Sequence, residues 1–226
     1  MPETQKVALI AGASGLVGSY CLQFLLQSEQ YNKVIALVRH NLPVQHPKLE
    51  QLVVDFDQLN QYKSQLKADD VYCCLGTTIK QAGSNENFFK VDYAYVYQLA
   101  ALTSANAASQ FLLVSAMGAD ANSVIFYSKV KGQIENAVKT LTFRAIHIFQ
   151  PSLLLGNRTE KRTGESMAQA LMPKFSFLLV GGLRKYRPVA AADVAKAMVL
   201  TAQQNITGLH YYPSDKIIKE AQKVLL

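Results

Sequence analysis

Hydrophobic positions along the chain change period repeatedly, from short unbroken runs to the i, i+3, i+4 spacing of a helix and back. Val7-Ala8-Leu9-Ile10 is an apolar run between Lys6 and Gly12, as a buried strand requires. From Leu16 the apolar residues fall at Leu16, Val17, Tyr20, Cys21, Phe24 and Leu25, one face of a helix. Strands are predicted at 34–38 and 52–54, with Pro43 and Pro47 in the loop between them. A fourth, 71–75, is apolar almost throughout, as expected for a strand covered on both faces. Helical spacing over 87–107 leads to a strand at 111–114, and over 123–139 to a strand at 143–149. Beyond Pro151 the pattern loosens into a loop, an Ala/Met helix around 165–171 and a Gly181-Gly182 turn. A helix at 192–202, a strand at 209–212 and a helix capped by Ser214 or Asp215 close the chain.

Strands alternating with helices imply βαβ units, and their right-handed crossovers give a Rossmann-type doubly wound parallel sheet with helices on both faces. The 226 residues fit one domain, 1–226, in which 151–226 forms a small substrate-side region. Half the residues are hydrophobic and 17% charged, which excludes a disordered chain. No apolar run approaches the roughly 20 residues that span a bilayer, and the polar start shows no secretion signal. Three cysteines, two adjacent, offer neither a disulfide framework nor a Cys-x-x-Cys pair, so a reducing cytoplasm is the expected compartment. The net charge of +7 favours anionic ligands, a phosphate-rich cofactor among them. The cations are too scattered for a nucleic-acid stripe; neither nucleic acid nor membrane is an expected partner.

Candidate chemistry begins at Gly12-Ala13-Ser14-Gly15-Leu16-Val17-Gly18, between a predicted strand and a predicted helix. There the glycines permit a tight turn and close backbone approach to a diphosphate, and the helix N-terminus presents free N–H groups to it. Gly12, Ser14, Gly15, Leu16, Val17 and Gly18 are therefore candidate cofactor contacts. A ribose 2′-hydroxyl is usually met by an acid about 20 residues further on. Here Val38-Arg39-His40 stands instead, and the Arg39 fork suits a 2′-phosphate, so NADP(H) is favoured over NAD(H). Asp55, after the third strand, could accept from the adenine amino group or cap the next helix.

A second constellation lies downstream. Tyr127 and Lys131 are four apart on a predicted helix and share a face, and Ser115 ends the fifth strand at the sheet edge where such folds bind ligands. A phenol is a poor proton shuttle at neutral pH; an ammonium at ~4 Å with an effective dielectric of ~20 favours phenolate by about 4 kcal/mol before desolvation. In this reading Tyr127 is the acid/base, Lys131 its activator and a ribose ligand, and Ser115 orients a substrate carbonyl.

The glycine loop with Ser115, Tyr127 and Lys131 resembles the short-chain dehydrogenase/reductase superfamily, and the glycine spacing is that of its extended and atypical members. Val53-Val54-Asp55-Phe56, Cys73-Cys74-Leu75-Gly76-Thr77-Thr78, Val91-Asp92, Val130-Lys131-Gly132 and Leu153-Leu154-Leu155 resemble the Tat-interacting oxidoreductase family, an atypical, NADPH-binding branch. The resemblance implies that Gly76 and Thr77 pass beside the cofactor's ribose and adenine, and that Pro151 and Leu153 border the nicotinamide. Gln150 departs from it, standing where Arg-Pro is usual.

The function expected is NADP(H)-dependent hydride transfer with a small carbonyl or alcohol substrate. The alternatives are an NADPH-binding sensor with little turnover that acts through a protein partner, and an epimerase or dehydratase. Cys73 and Cys74 alternate faces of a buried strand and read as core, and His40, His46, His147 and His210 lack ligand spacing, so no metal is expected. Tyr93 and Tyr97 share a helix face beside the Tyr127 helix, in a pair of helices that commonly packs across a two-fold axis in this superfamily, which leaves a homodimer open. Arg184, Lys185 and Arg187 either attract an anionic substrate or are solvated.

Overall fold

The computed structural model describes residues 5–156 and 181–224. Its centre is a seven-stranded parallel sheet of β1 (Lys6–Ala11), β2 (Tyr31–Val38), β3 (Leu49–Val53), β4 (Asp70–Cys73), β5 (Gln110–Val114), β6 (Ala145–Gln150) and β9 (Gly208–Pro213), in the order β3-β2-β1-β4-β5-β6-β9. This is the expected Rossmann-type arrangement, with each of the seven predicted strands in the sheet. The order reverses between β1 and β4, and that reversal opens a crevice at their carboxyl ends. A two-stranded parallel pair, β7 (Leu154–Leu155) and β8 (Val189–Ala190), was not foreseen; each strand is too short to leave a pattern.

The period of two along each strand divides the core. Ala8, Ile10, Val34, Ala36, Tyr72, Leu112 and Phe149 face one layer, where α1 (Leu16–Gln27) packs against α6 (Ala191–Gln203). Leu9, Ala11, Ile35, Leu37, Val71, Cys73, Phe111, Leu113, Ile146 and Ile148 face the other, covered by α4 (Tyr95–Ala105) and α5 (Phe126–Val138). Cys73 and Cys74 fall on opposite layers, as their alternation requires. Burial pushes the Cys73 thiol up to about 12, as befits an inert core residue.

A short helix not predicted, α2 (Ile79–Ala82), precedes the predicted 87–107 helix, which is itself broken into α3 (Asn85–Phe89), a π turn (Lys90–Ala94) and α4. Thr78 and Ser84 start α2 and α3, their hydroxyls accepting from the Gln81 and Asn87 amides. The last helix, α7 (Ser214–Ala221), begins at Ser214 without a side-chain cap, contrary to expectation. The Ser214 hydroxyl instead accepts from the Ser152 amide (2.9 Å), tying α7 to the segment after β6. The predicted 165–171 helix lies outside the described residues. Gly181, expected in a turn, opens a 3-10 helix, Gly181–Tyr186, on which Arg184 and Lys185 are exposed.

Near the strands' amino ends a polar network crosses the buried sheet. Asp70 accepts from Tyr31 (2.8 Å), Gln110 (2.8 Å) and Lys6 (3.2 Å), and Tyr31 meets Tyr72 at 2.7 Å. Because the Gln110 amide nitrogen already donates to Asp70 and to the Ala202 carbonyl, its oxygen must accept from His147 Nε2 (3.1 Å). That fixes the neutral tautomer, and His147 Nδ1 then accepts from the Tyr212 hydroxyl (3.2 Å). Burial, with the charges of His210 and Arg144, pulls His147 down to about 4.

Candidate functional site

At the switch point, the loop after β1 closes with the Gly15 amide donating to the Gly12 carbonyl (2.9 Å). Gly12 has φ +85°, and a Cβ there would lie 2.5 Å from the Cys74 carbonyl carbon and oxygen. A Cβ on Gly18 would run into the Gly12 carbonyl oxygen. These two glycines therefore let the loop lie against the end of β4 and let α1 start against the loop. Ser14 and Gly15 are exposed, Leu16 is half-buried and Val17 is buried. Gly15 is the N-cap of α1; no side chain caps the helix and no acid sits in its first turn, which leaves the first-turn N–H groups to an anion. The cradle fits a dinucleotide's diphosphate.

The opposite wall follows β4. Gly76 lies over a buried ion pair: a Cβ on it would be 3.3 Å from Asp92 Oδ1 and 3.7 Å from Lys131 Nζ. Lys131 Nζ and Asp92 Oδ1 are 2.7 Å apart, their side chains 6% and 0% exposed. Asp92 Oδ2 accepts from the Thr77 amide (2.9 Å), so one carboxylate positions both the lysine and the loop carrying Gly76 and Thr77. Burial, the largest single influence, would lower the Lys131 pKa, but the Asp92 charge, the nearby Tyr127 and the hydrogen bond to Asp92 together hold the ammonium above its ordinary value. Asp92 sits in the π turn, a distortion that recurs at functional positions in helices.

On α5 the residues Tyr127, Lys131 and Glu135 follow at four-residue intervals along one face. Tyr127 is half-buried, its ring 5.5 Å from that of Phe88. Ser115, just past β5, is buried, and its hydroxyl donates to Glu135 Oε1 at 2.5 Å. Gln150, at the end of β6, donates to both oxygens of Glu135 (2.9 and 3.1 Å). Pro151 is buried and accepts from the Met117 amide (2.9 Å); Leu153 accepts from Val189 (2.9 Å). The segment then passes over the start of α1, where a Cβ on Gly156 would meet Leu16 Cδ1 at 2.9 Å.

Arg39 is exposed just beyond β2. Asp55 lies past the end of the neighbouring β3, whose Val53 pairs with Val38, so both residues stand at one edge of the sheet. Asp55 Oδ1 caps the following 3-10 helix (Phe56–Gln65) through the Asp57 amide (2.9 Å), the capping alternative of its two readings. Among the described residues no group of three or more His, Cys, Asp or Glu could hold a metal.

Two buried carboxylates at the site were given no role by the sequence reading, although Val91-Asp92 belonged to the family resemblance. Asp92 interrupts the apolar stripe Phe88, Val96, Leu99 and Thr103, and Glu135 interrupts that of Val130, Ile134 and Val138. A lone carboxylate on a buried face was the signal in each case, because a charge is buried only where something pairs with it.

A model of one family, described as "NAD dependent epimerase/dehydratase family", matches residues 8–212. The chain belongs to that family. Within it, the resemblance to the Tat-interacting oxidoreductases is borne out. Protein HTATIP2 of Rattus norvegicus is 38% identical over 168 residues, 73% of this chain and 69% of that protein. "Protein FMP52, mitochondrial" of Candida albicans is 34% identical over 205 residues, 88% and 89% of the two chains. Among solved structures, MoeE5 in complex with UDP-glucuronic acid and NAD is similar with TM-score 0.69 at 16% identity, over 90% of this chain and 74% of that one. UDP-glucuronic acid 4-epimerase from Bacillus cereus, in complex with UDP-glucuronic acid and NAD, gives 0.67 at 15% identity, over 92% and 77%. At these identities the likeness establishes the fold: the chain is an NAD(P)-type Rossmann protein of the epimerase/dehydratase family. No helix among the described residues is long and apolar enough to cross a membrane.

Proposed function

We propose that this family member is an NADP(H)-dependent oxidoreductase acting on a carbonyl or alcohol. The observation that supports it most is the buried Lys131 ammonium, kept charged by Asp92 beneath Gly76 and one helical turn from Tyr127, at the sheet edge that also carries the uncapped start of α1. A pure binding protein has no chemical need for a phenol and a maintained cation on one helix face.

In this reading the loop from Gly12 through Ser14, Gly15, Leu16 and Val17 to Gly18 holds the diphosphate, and Arg39 pairs with a 2′-phosphate. The Asp55 oxygen not used in capping accepts from the adenine amino group. Gly76 and Thr77 pass beside the ribose, and Pro151 and Leu153 line the nicotinamide pocket. When bound, the nicotinamide supplies or accepts the hydride. Tyr127 delivers or takes the proton at its phenol oxygen. Lys131 stabilises the phenolate and binds a ribose hydroxyl, while Ser115 holds the substrate oxygen.

Calorimetry with NADPH and NADH, followed by turnover on a panel of aldehydes, ketones and quinones, tests the proposal. NADPH binding with turnover that collapses in Tyr127→Phe supports it; turnover indifferent to that substitution removes Tyr127 from the mechanism. A second reading is a sensor that binds NADPH with little turnover and acts through a protein partner. Tight NADPH binding without turnover on the whole panel would establish that reading instead.

We also propose a homodimer across the stacked ladder of Phe89, Tyr93 and Tyr97, with centroids 4.7 and 6.2 Å apart and both end rings 38% exposed. Sedimentation equilibrium of the wild type beside Tyr97→Glu tests it; a monomeric wild type refutes it. Cys21, Cys73 and Cys74 are free thiols, which supports a cytoplasmic location; organelle fractionation tests this against the mitochondrial label carried by the FMP52 relatives.

A further inference from the structure

We propose that Glu135 is a positioning residue of this site, deciding by its own proton whether the Ser115 hydroxyl donates into the crevice or away from it. The inference rests on the oxidoreductase reading for its catalytic consequence, but on geometry for its substance.

A serine hydroxyl has one proton to give. With Glu135 ionised, that proton is committed to Oε1 at 2.5 Å, and Ser115 can offer a substrate only lone pairs. A carbonyl oxygen needs a donor, so this arrangement cannot hold one. With Glu135 protonated, the carboxyl O–H donates to Ser115 Oγ and the serine proton is released to the crevice, where oxyanion charge develops. Gln150 is compatible with both states, since its amide nitrogen donates to the carboxyl group in either.

The surroundings make the ionised state costlier than it is for an exposed glutamate. Glu135 is only 4% exposed, and its hydrogen-bond partners Ser115 and Gln150 are uncharged. On α5 and its C-cap the cations are Lys129, Lys131 and Lys139; Lys139 and Lys131 act on Glu135, the latter committed to Asp92. The π turn, which packs on α5, carries Asp92 and Tyr93, and the loop that lies against Gly132 carries Asp120. On the facing strands Phe111, Leu113, Ile146, Ile148 and Gln150 carry no charge. Burial holds the carboxyl above the usual carboxylate range, against the opposing pull of the Ser115 and Gln150 hydrogen bonds and the two lysines.

The first test needs no substrate. In carboxyl-labelled protein the Glu135 13C resonance, identified by its loss in Glu135→Gln, should titrate above the exposed glutamates. Ser115→Ala, which removes a hydrogen bond to the ionised form, should move it higher, and Gln150→Arg, which adds a cation, should move it lower. Titration together with the exposed glutamates, or no response to either neighbour, overturns the proposal. If Glu135→Gln does not fold, the resonance is identified instead as the one that shifts in opposite directions in these two variants, and the absence of any such resonance overturns the proposal. The second test is the pH profile of kcat/KM with NADPH and a panel carbonyl. Ser115→Ala should lose about 10²-fold. The wild type should decline where Glu135 loses its proton, and Glu135→Gln, whose amide always donates, should lose that decline while still binding NADPH. A decline unchanged in Glu135→Gln overturns the proposal, whereas absence of NADPH binding by the wild type counts against the oxidoreductase reading alone.

Discussion

Removing the Asp92 carboxylate alone should cost this protein about as much as removing the charge pair altogether. Lys131 and Asp92 lie 2.7 Å apart with side chains 6% and 0% exposed, so water screens neither. At an effective dielectric of ~20 that separation corresponds to an attraction of about 6 kcal/mol, opposed by several kcal/mol of desolvation for each ion. Asp92→Asn leaves a buried ammonium without a counter-charge, and Lys131→Met leaves a buried carboxylate supported only by the Thr77 amide. Each single change should lower stability by about 3–5 kcal/mol. The double variant buries no charge, so its loss should be close to that of one single variant rather than to their sum. Urea unfolding followed by circular dichroism at pH 7 reads all four proteins. That pH sees the whole effect: Lys131 titrates above its ordinary 10.5 in the fold, so its contribution is complete below 10.5 and lost only as pH rises through the folded value. Strictly additive losses would show that the two residues do not act as a pair and refute the argument.

Other outcomes follow from the same geometry. Arg39→Ala should weaken NADPH about ten- to hundredfold and leave NADH unchanged, measured by calorimetry, because only the former offers a 2′-phosphate to a charged hydrogen-bond donor. Gly18→Ala should destabilise the chain by about 1–3 kcal/mol in thermal unfolding and abolish dinucleotide binding, since the new methyl displaces the Gly12 carbonyl. His147, lowered from 6.5 to about 4, contributes stability that is complete above 6.5 and lost as pH falls towards 4. The 2.5-unit gap is worth up to about 3 kcal/mol, and His147→Gln should flatten the acid limb of a stability–pH curve over that window.

The elements carrying the crevice were legible because each leaves a local mark. β1, the glycine loop and the start of α1 are contiguous, and their function depends on backbone freedom that only glycine provides. Tyr127 and Lys131 were legible because a helix converts a spacing of four into one face. Asp92 and Glu135 left only a carboxylate interrupting an apolar face, a mark of burial that does not name the partner. The π turn was invisible: the register slip at 90–94 depends on what α4 and α5 pack against, not on the residues of the turn. Ser214 illustrates the same limit, having the residue type of a cap while its hydroxyl serves Ser152, 62 positions away.

Alone, the order of residues determined the alternation of strand and helix, the two-layer core, the anion-ready loop and the phenol–ammonium pair, all matters of short-range periodicity and backbone sterics. Tertiary structure decided which charges are buried together: Lys131 with Asp92, Ser115 with Glu135 and Gln150, Asp70 with Tyr31 and Gln110. Those choices depend on removing water from groups distant in the chain, and desolvation exists only once the layers have closed.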